Sequence, residues 1–530
     1  MRRFPACSFL LAAVLLPLEG LADESVVELG GEVPDDGPDH FFVPFEVPEG
    51  TVEIEVRHDD LSAINILDWG LEDPQGVFRG WGGGNTEPAI VGIEAASRSY
   101  VPGPIAPGTW RVVVGKAKIE ERPARYEIQI VLRDEPTLAP QPERTPYAEP
   151  AALETGPRWY AGDFHVHSRE SGDASPPLDT ILRFAGQHGL DFVHIADHNV
   201  DTQLDFYAAA QAAHTGVLLL PGVEFTTYTG HALGIGATTW VDHKIGQPGV
   251  TIEGAAEAFR EQGALFAIAH PALDLGPLCI GCAWDHELAG QHIDAVEIAT
   301  GGLEPVGHLF IANSIAFWDA LCDQGLHVAP IGGSDDHHGG AGDGFSYSPI
   351  GNPTTLVWAD ALDVTSILAG IRAGRTVVKL QGPGDPMVEL DASDPLDGDT
   401  VVANDTILRI RVTDGIGSSL RLVHNGNPAD SMTVDADPFE AEVPIAAPEE
   451  GEERWRVELV VDGRRRVVTS HIWIRPDPDG GSGTDETGDA GEQAGDSDGC
   501  GCRHAPRPAG GWLALMLLAT VRRRASPAAS

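Results

Sequence analysis

The chain has 530 residues, 34 Lys and Arg against 80 Asp and Glu, a formal net charge of −46 at pH 7, and a hydrophobic share of 42%. That share suffices for packed cores and excludes a wholly disordered or collagen-like chain, and at roughly 150 residues per domain the length suggests three or four domains. The charge excludes a nucleic-acid binder, which needs a basic face to displace counterions from phosphates.

In chain order, Arg2 and Arg3 precede an apolar run, Phe9 to Leu18, and small Gly20 and Ala22 follow. Positive, apolar, small is the order of a secretory signal, so residues 1–22 read as a signal peptide and the mature chain is expected outside the cytoplasm. Residues 23–137 read as a β-sandwich. Val52, Ile54 and Val56 alternate with glutamates, and Tyr126, Ile128 and Ile130 alternate with Arg125, Glu127 and Gln129, the period of half-buried strands. A Pro-rich linker, 138–157, follows.

Residues 158–383 repeat a different grammar. Helical stretches 178–187, 253–262 and 313–324 run to Gly189, Gly263 and Gly325, and glycine is favoured just past a helix because it accepts positive φ. Short apolar strands come next, at 191–196, 264–269 and 326–331. They end in Asp197-His198, His270 and Gly332-Gly333-Ser334-Asp335. Alternating helices and apolar strands build a βα barrel or an open α/β sheet. The polar residues gather at the strand C-termini, where a barrel carries its active site.

Strands return in 384–476. Leu408, Ile410 and Val412 alternate with Arg409 and Arg411, Trp455, Val457 and Leu459 repeat the pattern, and Asn425-Gly426 marks a hairpin turn. This unit reads as an immunoglobulin-like β-sandwich. Neither sandwich shows catalytic clustering, so both read as spacer or binding modules. An acidic Gly/Ser/Asp stretch, 477–499, cannot bury a core and reads as a disordered spacer.

Residues 500–530 hold Cys500 and Cys502, an apolar run Trp512 to Val521, and Arg522-Arg523-Arg524. The run is short for a stable span, and the arginines would stay cytoplasmic. This tail resembles the myxobacterial C-terminal sorting signal. The resemblance implies transfer to the outer membrane and cell surface, with the tail as an envelope anchor. Elsewhere Cys279 and Cys282 form a CxxC, a weak zinc signal without a second pair and, in an oxidising compartment, an expected local disulfide. Cys322 lies in a helical pattern and reads as core.

The chemistry concentrates in 158–383. His165 and His167 are i, i+2 on a strand, so both imidazoles reach one face, and Asp335 and His337 repeat the spacing. Asp173, His198, Glu224, His231 and His270 lie between them. Packing so many imidazoles and carboxylates together without compensation would cost several kcal/mol. Nitrogen and oxygen ligands without thiolate suit Zn, Mn or Fe, so the set reads as a site for two or three divalent metal ions.

Gly162-Asp163-Phe164-His165-Val166-His167-Ser168, Ala196-Asp197-His198-Asn199, Ala269-His270-Pro271 and Gly333-Ser334-Asp335-Asp336-His337 resemble the four motifs of the PHP (polymerase and histidinol phosphatase) superfamily. Within it the chain looks most like the CehA/McbA metallohydrolases, which include carbaryl hydrolases. The resemblance implies a distorted (β/α)7 barrel with up to three metals. By motif, His165, His167, Glu224 and Asp335 would hold one, and Glu224 would bridge to a second held by His231 and His270. Asp173, His198 and His337 would hold a third. The run Asp335-Asp336-His337-His338 also permits Asp336 with His338; Gly332-Gly333-Ser334 favours Asp335 and His337.

Clustered divalent metals lower the pKa of bound water and polarise a carbonyl or phosphoryl oxygen. Glu224, Asp335, Asp336 and His338 are therefore candidate catalytic residues, with Glu297 a further proton-donor candidate by position. The expected substrate is a small molecule cleaved at an ester, carbamate or amide bond. A phosphoester is the alternative, with Arg169 and Arg375 the nearest cations by motif. A relic barrel serving as a surface binding protein is a second alternative, and it would show lost ligands.

Overall fold

The computed structural model describes residues 24–276, 279–301, 307–342 and 348–478. The signal, spacer and tail expectations fall outside the described residues. Alternation builds the first unit as expected. One sheet runs Glu24–Glu32, Arg125–Arg133, Glu53–Asp59, Ala89–Gly92, and the other runs His40–Val47, Gly108–Lys118, Ile66–Glu72, Phe78–Gly83. Ile54, Trp110, Val112, Val114, Ile128 and Ile130 fill the space between them.

The Pro-rich segment does not hang free. Thr137 donates to Glu53 through both its backbone N–H and its hydroxyl, Gln141 donates to the Ala96 carbonyl at 3.1 Å, and Arg144 reaches Asp205 at 3.0 Å. Its last residues already belong to the first central strand, Glu154–Val166.

That strand is the pivot of the centre. It pairs in parallel with Phe192–Ile195, which pairs in parallel with Leu218–Leu220. On its other side it pairs antiparallel with Thr354–Leu362 and, beyond, Thr376–Lys379. A second sheet runs Gly222–Thr227, Gly230–Ile235, Leu265–Ile268, Ala295–Thr300, Ala329–Gly333. Helices cover these strands because their apolar residues recur at helical spacing. In Leu178–Gln187 the buried positions are Leu178, Ile181, Leu182 and Ala185. Thr251 and Asp363 cap Ile252–Glu261 and Val364–Arg372 by accepting the N–H of Gly254 and Ser366.

The expected distorted (β/α)7 barrel is not evident: among the described residues the central strands fall into two hydrogen-bonded sheets. Among the described residues the backbone ladders of the two sheets are bridged at single parallel pairs, Val166 with Asp336 and His198 with Glu224, and side chains such as Thr355 and Thr376 bond across to Gly332 and Pro330. Both seams lie at strand ends that carry motif residues, His165 and His167 beside one and His198 and Glu224 at the other. A direct hairpin, Gly222–Thr227 to Gly230–Ile235, stands where a βα unit would lie.

The C-terminal unit is likewise continuous with the centre, because Thr376–Lys379 pairs antiparallel with Arg464–Thr469. A three-stranded sheet, Met387–Ala392, Asp405–Thr413 and Phe439–Ala446, faces this extension across Val388, Leu408, Ile410, Val457 and Leu459. Asn425 and Gly426, at φ 46° and 76°, form the expected two-residue turn. No helix among the described residues is long and apolar enough to cross a membrane.

Candidate metal centre

The first central strand ends with both imidazoles of His165 and His167 wholly buried and their ring centroids 5.1 Å apart. Neighbouring strand ends bring the other residues to them. Gly333 must be glycine here, since a Cβ would collide with the Cβ of His165. Asp335 follows at φ 56° and His270 sits at φ 26°, left-handed conformations that cost side-chain-bearing residues of order 1–3 kcal/mol and gather at functional sites.

Glu224 lies at the centre. Its Oε2 is 3.3 Å from His165 Nε2, 3.5 Å from His167 Nε2 and 2.9 Å from His198 Nδ1. Its Oε1 is 2.9 Å from His231 Nδ1 and 3.2 Å from His270 Nε2. Asp335 Oδ1 is 3.0 Å from His167 Nε2 and 3.5 Å from His165 Nε2. Asp173 Oδ2 lies 3.2 Å from both His198 Nε2 and His337 Nε2.

The donor atoms fall into groups that could each hold an ion: His165, His167, Glu224 and Asp335; His167, Asp173, His198 and His337; and His231 with His270 beside Cys282. Cys282 is disulfide-bonded to Cys279, as expected, and offers no thiolate. His165 Nε2, His167 Nδ1 and Glu224 Oε2 are buried without a hydrogen-bond partner. Unpartnered nitrogen and oxygen donors of this kind fit divalent Zn, Mn or Fe.

Burial opposes the charge on Glu224 and Asp335, yet the imidazoles around them hold both carboxylates well below the usual range. Burial likewise opposes a charged His165, but Glu224, Asp335 and Glu297 push it well above a free imidazole. His167, buried and facing His337, drops to about 3. Carboxylates and imidazoles here set one another's charge, and the same atoms are the donors a cation would need.

Supporting groups surround the donors. Glu297 lies 3.3 Å from His165 Nδ1 and accepts the His270 N–H at 2.8 Å, which orients the other ring nitrogen of His165 inward. Asp163, raised to about 6 by burial, accepts the N–H of His165, Ser334 and Gly351. Asp336 accepts the N–H of His338 and Gly340. Neither Asp336 nor His338 lines the cavity at the metal groups, and His338 is exposed. Arg169 is largely exposed beside Glu170, and Arg375 lines a different cavity of about 360 Å³.

The residues that sequence reasoning missed come from the first sandwich. The cavity over the metal groups, about 610 Å³, is walled by Asp68, Trp81 and His40 as well as by central residues. Tyr228 donates its hydroxyl to Asp68 at 2.7 Å, and burial raises Asp68 to about 6. The loop bearing Asp173 is held by the same unit. Arg98 donates to the carbonyls of Ala174 (2.7 Å) and Gly172 (3.1 Å). Ser99 donates its N–H to the Glu170 carboxylate and its hydroxyl to the Glu170 carbonyl. Gly172 lies so close to the Gly82 carbonyl that a Cβ would overlap it. No local periodicity signals such contacts.

No family model matches the chain, and no curated protein matches it. Among solved structures it is similar to a two-domain protein containing a predicted PHP-like metal-dependent phosphoesterase from Bacteroides vulgatus, at 18% identity over 63% of this chain and 100% of that one, TM-score 0.35. It is also similar to a candidate metal-dependent phosphoesterase from Bifidobacterium adolescentis, at 15% identity over 38% of this chain and 94% of that one, TM-score 0.24. A CARDB domain from Pyrococcus furiosus in complex with di-metal ions matches at 20% identity over 18% of this chain and 96% of its own, TM-score 0.13. What this site can do follows from its own side chains.

Two outcomes follow from the geometry. Gly172→Ala should displace the Asp173 loop and lower the metal content, read by elemental analysis after gel filtration, by one ion per chain; unchanged content would show that the sandwich does not position Asp173. The second concerns acid stability. Burial and the nearby Lys244 lower His40 from 6.5 to about 4, against the opposing charge of Asp242, and burial with His40 and Lys244 lowers His243 further. The unfolded chain then binds more protons than the folded one in this range, so stability is full above about pH 6.5 and falls as pH drops toward 4. His40→Gln should reduce that acid-side loss by about 2 kcal/mol, at roughly 1.36 kcal/mol per pKa unit, measured as wild-type minus variant in urea titrations at pH 7 and 4.5.

Proposed function

We propose that the chain is an exported metal-dependent hydrolase that cleaves an ester, carbamate or amide bond in an uncharged small molecule. The observation that carries this reading is Glu224, whose two oxygens face two separate sets of imidazoles at the floor of a cavity sized for one small ligand. Every residue of the ligand set expected from the PHP-like motifs is present, which argues against a relic. Two or three divalent ions would be held by His165, His167, Glu224 and Asp335, by His231 and His270, and by Asp173, His198 and His337. Such ions supply a water nucleophile near neutral pH and polarise the scissile carbonyl.

The protein's own groups do the rest. Glu297 fixes the tilt of His165, Asp163 ties the strand ends together, and the Arg98–Ser99 clamp fixes the Asp173 loop. Among the described residues no Lys or Arg lines the cavity, while Asp68, Asp173, Glu224 and Asp335 do. With Asp173, Glu224 and Asp335 given to the ions, the ions alone would be left to hold a phosphate's charge, with no guanidinium beside them, which is the ground for putting the CehA/McbA-type reading of a PHP domain before the phosphoesterase reading.

Chelation should remove more than one ion per chain and abolish turnover of aryl esters or carbamates, with Zn, Mn or Fe restoring it. His165→Ala and Asp335→Ala should each lower turnover at least 1000-fold, on the order of 4 kcal/mol in barrier. Aryl phosphates cleaved faster than the esters and carbamates would transfer the reading to phosphoester hydrolysis.

Display at the outer membrane completes the proposal, supported by the signal-like residues 1–22 and the sorting-like tail. Deleting residues 500–530 should release active protein into the medium, whereas the full chain should fractionate with the envelope. Equal distribution of both forms would remove the anchor.

A further inference from the structure

Two buried histidines on the cavity wall take no part in the metal groups. His40 comes from the sandwich strand His40–Val47, and His243 from the segment after Gly230–Ile235. They are 5% and 1% exposed, and all four of their ring nitrogens are buried without a hydrogen-bond partner. Their rings are 5.6 Å apart, edge to face. Tyr228 stacks on His40 at 5.4 Å and Trp81 meets His243 edge-on at 4.6 Å. All four residues line the cavity over the metals.

Buried polar groups in folded proteins are almost always paired, with protein, water or ligand. Here no described residue pairs with them. A metal is not the match, since the two imidazoles join no ligand group among the described residues. An anion is not the match either. Lys244, the nearby cation, is itself neutralised by Asp242 at 2.7 Å and Glu72 at 3.3 Å. Burial keeps both rings uncharged at neutral pH. A neutral imidazole offers one donor and one acceptor. Set among aromatic faces and nearly perpendicular to each other, the two rings can each turn one donor or one acceptor to a flat, uncharged partner.

We propose that His40 and His243, flanked by Trp81 and Tyr228, form a subsite for a planar, uncharged hydrogen-bonding group, such as an amide or phenol, on the part of the substrate remote from the cleaved bond. The proposal rests on the hydrolase reading only in calling that molecule a substrate; the subsite binds whether or not the metals turn anything over. The sandwich is then a specificity wall, since it supplies His40 and Trp81.

The test uses the full chain as isolated with its metals, and equilibrium binding of benzamide, toluene and benzoate followed by tryptophan fluorescence. Benzamide should bind at least tenfold more tightly than toluene, which has the shape without the hydrogen bonds. His40→Phe and His243→Phe should each weaken benzamide about tenfold, the loss of one buried hydrogen bond. Benzoate, free to engage the bound cations, should change less than twofold. His40→Gln and His243→Gln keep a donor and an acceptor and should stay within threefold of the parent, which separates lost hydrogen bonds from lost folding. Toluene binding as tightly as benzamide, no benzamide binding, or folded Phe variants with unchanged benzamide affinity would each overturn the subsite. Benzamide binding as described, in a protein that hydrolyses no ester, carbamate or amide, would leave the subsite standing and the hydrolase reading refuted.

Discussion

A carboxylate wholly enclosed by imidazoles governs the architecture. Glu224 is 1% exposed, and His165, His167, His198, His231 and His270 all lie within 3.5 Å of its oxygens. An ion buried alone costs several kcal/mol, and breaking a buried pair costs about as much, so the strands that carry these residues cannot drift apart independently. The hairpin Gly222–Thr227 to Gly230–Ile235 puts Glu224 and His231 on adjacent strands. The bridge from His198 to Glu224 ties them to the first sheet. Both seams between the two sheets lie at strand ends that carry motif residues.

The sandwich belongs to the same arrangement. Arg98 and Ser99 hold the loop that bears Asp173 by four hydrogen bonds, each worth about 1 kcal/mol net. Tyr228 reaches across to Asp68, and Gly115 is needed there because a Cβ would occupy the place of the Tyr228 hydroxyl. A unit that reads as a spacer in the sequence therefore walls the cavity and holds the loop of Asp173. The contacts that dock the sandwich are thus also contacts of the cavity wall.

Much of the centre was legible because its signals are local. Two i, i+2 pairs, glycines past helices and apolar runs ending in His or Asp located the strands to within a few residues, as with the helix expected and found at Leu178–Gln187. Their periodicity cannot report which strand ends meet in space, so the split into two sheets was not readable. Nor was the sheet that passes from Thr376–Lys379 into Arg464–Thr469, because each strand alternates alike whichever neighbour it pairs with. His40 opens an ordinary strand and His243 sits in an ordinary loop. Only the fold, joining residues 203 positions apart in sequence, turns them into a pair.

The central claim is that Glu224 stands between two metal positions. Anomalous diffraction from crystals of the isolated protein, collected at the Zn, Mn and Fe absorption edges, tests it most directly. The account predicts separate peaks on the two sides of the Glu224 carboxylate, one among His165, His167 and Asp335 and one beside His231 and His270. A single peak bound away from Glu224, or no anomalous scatterer at any edge in protein prepared with those metals, would contradict it.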